Sequence, residues 1–186
     1  YHPLSIGRVG FGGGSIYADK AFEESDLLIT LGCGLTDITT YSYNTIPKGD
    51  IIIIDLDERN MNRPIPYTEF YQVDANEFIK MLLDKVIKRN LQLDFSEWHN
   101  EIMNWKKGWD RILDDALERE FKGFANPSRF FKELDALLKD KEYIITAGQG
   151  MHILYTYSFI KIRSPRSFLD CLLYTSDAAD ELDGVD

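Results

Sequence analysis

Asp50 to Asp57 reads DIIIIDLD, and its four consecutive isoleucines constrain the fold more than any other stretch. No polar residue alternates with them, so neither side of the segment suits water. β-Branched residues favour extended backbone. A short uninterrupted run of this kind fits a parallel strand covered on both faces. It is far too short to cross a bilayer, which takes about 20 residues. The segment DLLITLG before it reads as a second buried strand ending at Gly32, and EFYQV as a third. TDITTYSYNTIPKG between the first two reads as a short crossover with a Pro-Lys-Gly turn.

Helices alternate with these strands. GRVGFGGGSIYADKAFEES is a glycine-rich loop entering a helix, with Ser15 as N-cap. Ala18, Ala21 and Phe22 recur at helical spacing, which puts Asp19, Lys20, Glu23 and Glu24 on the outer face. Asp74 with Glu77 three places on forms a capping box for ANEFIKMLLDKVIKR, whose stripe is Phe78, Leu82 and Val86. A tryptophan-rich, charged stretch without strand pattern follows as a helical connector. Asn126-Pro127 then starts another helix, with Phe130, Phe131, Leu134, Leu137 and Leu138 on one face. EYIIT is a strand, and GQGMHILYTYSF a loop entering a helix. The expected fold is α/β. A Rossmann-like parallel sheet occupies residues 1–90, a helical connector 91–125, and the start of a second α/β domain 126–169.

Residues 170–186 are set aside. CLLYTSDAADE, Cys171 to Glu181, back-translates onto a transposon-type sequencing adapter. Residues 171–186 hold five acidic side chains and no Lys or Arg, so they supply half of the net charge of −10. That charge argues against broad nucleic-acid binding, which needs a basic face. Two cysteines make neither a disulfide framework nor a metal cluster, and point to a reducing cytoplasm. No segment is apolar enough to cross a membrane, and no secretion signal opens the chain. Because it begins at Tyr1 on HPLSIGRVG, it is expected to be cut from something longer.

Three places can carry chemistry. Gly10, Gly12, Gly13 and Gly14 precede a helix, where backbone N–H groups can meet a phosphate. A turn that lets helix and sheet approach explains them equally. The strand ends LGCG and IDLD bring Gly32, Cys33, Gly34 and Asp55 to the carboxyl edge, where ligands bind in open α/β sheets. Asp55 suits ribose hydroxyls or a turn cap; Cys33 reads as a small apolar residue rather than a nucleophile. Gly148, Gln149 and Gly150 at the end of the last strand can line an anionic group or make a plain β-to-α turn. His2, His99 and His152 sit in no motif.

The order of these features is more specific than any one of them. HPLSIGRVGFGGGSIYADKAFEESDLLITLGCGLTD, then IIIIDLDERNM, then YQVDANEFIKML resembles the middle domain of thiamine diphosphate-dependent enzymes, most closely acetolactate synthase large subunits. TAGQGMH and SPRSFL sit where that family has a VGQH-like turn and a PRRFL-like segment. The likeness covers about residues 2 to 169. It implies the latter half of a Rossmann-like middle domain, which binds FAD in acetolactate synthases, or ADP in other relatives. The matching positions are Gly13, Gly14, Gly32 to Gly34, Asp55, and Asp74 with Ala75. Gly148, Gln149 and Gly150 would lie near the diphosphate of thiamine diphosphate, held with Mg.

The implied parent is a transferase of branched-chain amino acid biosynthesis, a homodimer or homotetramer. It would decarboxylate a 2-keto acid such as pyruvate and then carboligate. The family's FAD-contacting arginines are replaced by Gly34 and Ile38. Its catalytic glutamate and its Gly-Asp-Gly…Asn metal motif are expected outside these residues, so no catalytic residue or metal ligand is assigned. The chain alone is expected to be inert. The alternative is a stand-alone FAD- or ADP-binding module.

Overall fold

The computed structural model describes residues 4–11, 13–148 and 150–170. The chain divides into two compact units, Ile6–Trp109 and a second unit built on Asp110 and the residues after it.

In the first unit, α1 (Ile16–Glu24) leads into β1 (Leu27–Leu31), β2 (Asp50–Asp55) and β3 (Glu69–Gln72). The three strands form one parallel sheet in the order β1-β2-β3, so the isoleucine strand is central. Ile51, Ile53 and Ile54 are buried. Phe22 of α1, Leu35 and Ile65 complete the core with Ile51 and Ile53, and Leu28, Tyr43 and Phe70 pack against it. β1 differs from expectation. Leu27, Ile29 and Leu31 are exposed, because β1 lies at the edge and only one of its faces is covered among the described residues.

The register of β1 on β2 is set where the strands begin. Lys48, Gly49 and Asp50 donate backbone N–H bonds to the carbonyls of Glu23, Ser25 and Asp26, at 3.0, 3.0 and 2.9 Å. This aligns Leu27 with Asp50 and Leu31 with Ile54. A Cβ on Gly49 would stand 1.9 Å from the Asp26 carbonyl oxygen, so the contact admits only glycine. The Pro-Lys-Gly segment is therefore a docking strip as well as a turn.

Asp74 caps α2 (Ala75–Lys88), accepting from the N–H groups of Asn76 and Glu77. The reciprocal half of the expected capping box is replaced: the Glu77 carboxylate takes Lys80 at 2.7 Å. Phe78 meets Tyr71 of β3 with ring centroids 6.4 Å apart, and no residue of α2 is fully buried. The tryptophan-rich stretch forms one long helix, α3 (Ser96–Glu118).

In the second unit, Asn126 caps α4 (Pro127–Leu138) through Ser128 and Arg129, with Pro127 in the first turn. β4 (Ile145–Ala147) pairs in parallel with β5 (Phe168–Asp170), and α5 (Met151–Phe159) lies between them in sequence. The strand starts three residues later than EYIIT suggested. Phe131 stacks on Tyr155 of α5 at 5.8 Å, while Phe130 and Leu137 of the expected apolar face are exposed. Asp135 ties α4 to the segment before β5. Its oxygens accept from Arg163 at 2.7 and 2.8 Å and from the Lys161 N–H at 2.8 Å.

Two stability predictions follow from these contacts. Gly49→Ala should lower stability by about 3 kcal/mol, because backbone must move to admit the methyl group. Gly108→Ala, in α3 with nothing near its added carbon, should raise stability by about 1 kcal/mol. Thermal melts of the two variants should move in opposite directions; a Gly49→Ala melt equal to the parent's would refute the docking strip. Partial burial of Asp135 opposes its ionisation, but Arg163 and the Lys161 N–H outweigh that and hold its carboxyl below the ordinary range. A lowered carboxylate contributes stability that is present above its unfolded pKa and lost as pH falls through the folded one. The unsubstituted chain's resistance to urea should therefore weaken below about pH 4. Asp135→Asn should be less stable at neutral pH by about 2 kcal/mol and lose less on acidification.

Candidate functional site

The parallel order of β1, β2 and β3 brings their carboxyl ends to one edge. Gly32 continues the ladder, its N–H donating to the Ile54 carbonyl at 2.8 Å. Gly32, Cys33 and Gly34 thus lie beside Asp55, and Asp74 with Ala75 follows β3 along the same edge. Cys33 is an exposed free thiol.

The polar groups of this edge are largely taken by the chain itself. Asp55 accepts from the Asp57 N–H at 2.9 Å through one oxygen and from Asn60 Nδ2 at 2.9 Å through the other. Gly34 makes room for that asparagine, since a Cβ there would stand 2.8 Å from Asn60 Oδ1. Asn60 belongs to a short 3-10 turn, Glu58–Asn62, that sequence reasoning passed over. Asp74 is committed as the α2 cap.

The glycine loop packs on the connection after β1. Phe11 donates its N–H to the Ile38 carbonyl at 2.8 Å, and Gly14 folds back to the Gly10 carbonyl at 3.0 Å. Gly13 and Gly14 are half-buried, and Gly12 lies outside the described residues. Ser15 caps α1 as expected, accepting from Ala18 at 3.2 Å. Asp19 does not face outward as expected. It turns into the loop, accepting from the Gly10 N–H at 2.7 Å and from the Tyr41 hydroxyl at 2.6 Å. Nothing in local spacing marks it, because its partners lie nine residues before it and 22 after it. Phe11, Asp37, Ile38, Tyr41 and Ser42 line a shallow cleft of about 270 Å³ beside this contact.

The second unit presents a different strand end. Gly148 follows β4, and Gln149 lies outside the described residues. Gly150 precedes α5 with φ 136° and ψ −176°, a backbone shape open essentially to glycine alone. It gives the first amides of α5 no side-chain cap. A Cβ on Gly150 would stand 3.1 Å from the His152 ring. Among the described residues no side chain caps the positive end of this nine-residue helix, which follows the carboxyl end of a parallel strand. Among the described residues no group of three His, Cys, Asp or Glu stands together to hold a metal, and no helix is long and apolar enough to cross a membrane.

Residues 1–82 match the family described as thiamine pyrophosphate enzyme, central domain. The chain is 31% identical over 169 residues to the mitochondrial acetolactate synthase catalytic subunit of Aspergillus candidus, covering 84% of this chain and 24% of that protein. It is 30% identical over 183 residues to a probable acetolactate synthase large subunit of Methanococcus aeolicus, covering 90% and 29%. A probable acetolactate synthase large subunit of Methanocaldococcus jannaschii is 32% identical over 178 residues, covering 90% and 28%. The chain thus spans about a quarter of the length of the curated relatives it matches.

Partial burial, then the hydrogen bond and charge of Asp19, push the Tyr41 phenol up to about 12. A raised phenol contributes stability that is fully present below the unfolded value of 10.0 and lost as pH rises through about 12. The tyrosinate absorbance difference between the parent and Tyr41→Phe should therefore develop near pH 12. A difference that develops near 10 would refute the Asp19 contact.

Proposed function

We propose, for a chain that belongs to the thiamine pyrophosphate enzymes, that its first unit is the latter part of their central domain and its second unit opens the domain that holds thiamine diphosphate. In the complete protein the reaction would be decarboxylation of a 2-keto acid, pyruvate first among them, followed by carboligation. The observation that carries this reading is the uncapped start of α5 behind Gly150, at the end of a parallel strand, in a chain similar to acetolactate synthases. That similarity runs over 84% to 90% of the chain and so favours one enzyme over a stand-alone nucleotide module.

The residues present suit a diphosphate. Gly148 and Gly150 stand on either side of the turn, and among the described residues the first amides of α5 have no competing side-chain cap. No acidic residue lies in the first turn of α5 to repel an anion. Gly150 keeps the turn free of a side chain that the His152 ring would meet. Thiamine diphosphate, when bound, supplies the carbanion-stabilising chemistry, and the protein binds and orients it. We assign the magnesium ion, the general acid–base group and the substrate contacts to residues other than these.

The parent is proposed as a homodimer or homotetramer. A cytoplasmic setting rests on the sparse cysteines alone, and the Aspergillus relative is mitochondrial by name.

The test is made on the full-length polypeptide that carries this sequence. Pyruvate consumption should require thiamine diphosphate and Mg²⁺, with acetolactate formed. Gly150→Ala should weaken thiamine diphosphate binding about tenfold by calorimetry, equivalent to about 1.4 kcal/mol. Absence of thiamine diphosphate binding by the unsubstituted polypeptide would sink the proposal, and unchanged affinity in Gly150→Ala would sink the assignment of the turn.

A further inference from the structure

We propose that Asp19 is a built-in anion that closes the glycine loop, so that the loop admits no nucleotide diphosphate. The inference concerns the first unit and stands independently of where thiamine diphosphate binds.

A phosphate cradle needs backbone N–H groups without internal acceptors. Around this loop four of the described groups are committed. Gly10 donates to Asp19 Oδ1 at 2.7 Å, Phe11 to the Ile38 carbonyl at 2.8 Å, Gly14 to the Gly10 carbonyl at 3.0 Å and Ser15 to the Arg8 carbonyl at 3.3 Å. In the first turn of α1 the Ala18 N–H is bonded to Ser15 Oγ. An anion approaching Gly10 would have to displace a carboxylate that Tyr41 also holds, at 2.6 Å.

Space excludes it too. A Cβ on Gly10 would stand 2.4 Å from the Ile38 carbonyl oxygen, and one on Gly14 would stand 2.8 Å from Asp19 Oδ1. Gly10 and Gly14 therefore serve contact between pieces of this chain, and the gap these two open is already filled. The positive end of α1 favours a negative group, and Asp19 in its first turn is that group. A second anion beside it would face like-charge repulsion. The FAD or ADP implied for a central domain of this kind does not fit the loop by its diphosphate.

The test combines calorimetry with amide hydrogen exchange on the whole chain. Titration with ADP, FAD and inorganic pyrophosphate to about 1 mM should leave the Gly10 amide resonance unmoved. Asp19→Ala should speed Gly10 amide exchange at least about tenfold, whereas Asp19→Asn, which keeps an acceptor, should retain most of the protection. Ligand binding that shifts the Gly10 amide would overturn the proposal. So would Gly10 exchange that is unchanged in Asp19→Ala. If Asp19→Ala does not fold, the titration of the unsubstituted chain still decides. Binding that leaves Gly10 unmoved places the nucleotide elsewhere and supports the closed loop.

Discussion

The first unit depends on a contact made outside its sheet. Backbone N–H groups of Lys48 to Asp50 dock on the carbonyls of Glu23 to Asp26, with Gly49 admitted only because it lacks a Cβ. A one-residue slip there would exchange the two faces of β1 and send Leu28 to solvent. It would also unpair Gly32 from Ile54, which places the Gly32 to Gly34 turn beside Asp55. The geometry of the carboxyl edge is therefore inherited from a junction at the opposite end of the strands. Hydrophobic burial supplies most of the energy, since each fully buried isoleucine contributes about 2 kcal/mol. Burial alone does not choose the register of four similar isoleucines, and the docking strip does.

What was legible in the sequence was local. Ser15, Asp74 and Asn126 cap helices as their positions suggested, because a cap bonds to amides two or three residues away. DIIIIDLD declared the central strand because no polar position interrupts it. The contacts that shape the candidate site join distant residues: Asp19 to Tyr41, Gly49 to Asp26, Asp135 to Arg163. Periodicity placed Asp19 on the outer face of α1, and the glycine loop that folds over that face was what periodicity could not contain. Edge position is likewise a property of the whole sheet, so DLLITLG read as buried while β1 presents Leu27, Ile29 and Leu31. Gly148 and Gly150 were legible as a turn, and the uncapped helix behind them only from the fold.

The two glycine-rich turns show how one residue type serves opposite ends. In the first unit three aspartates, Asp19, Asp55 and Asp74, sit where an α/β sheet would offer donors to an anionic ligand, and each is spent on backbone or side-chain donors of its own neighbourhood. That arrangement stiffens the edge and makes it negative, which suits a positioning element better than a phosphate site. In the second unit the first turn of α5 holds no acidic residue, and Gly150 before it holds a backbone shape open essentially to glycine alone. A helix start attracts anions through its unsatisfied amides, so the discriminating property is whether the chain has already supplied the anion. That criterion is why we propose diphosphate recognition at the β4–α5 turn, with the larger sheet fixing the framework.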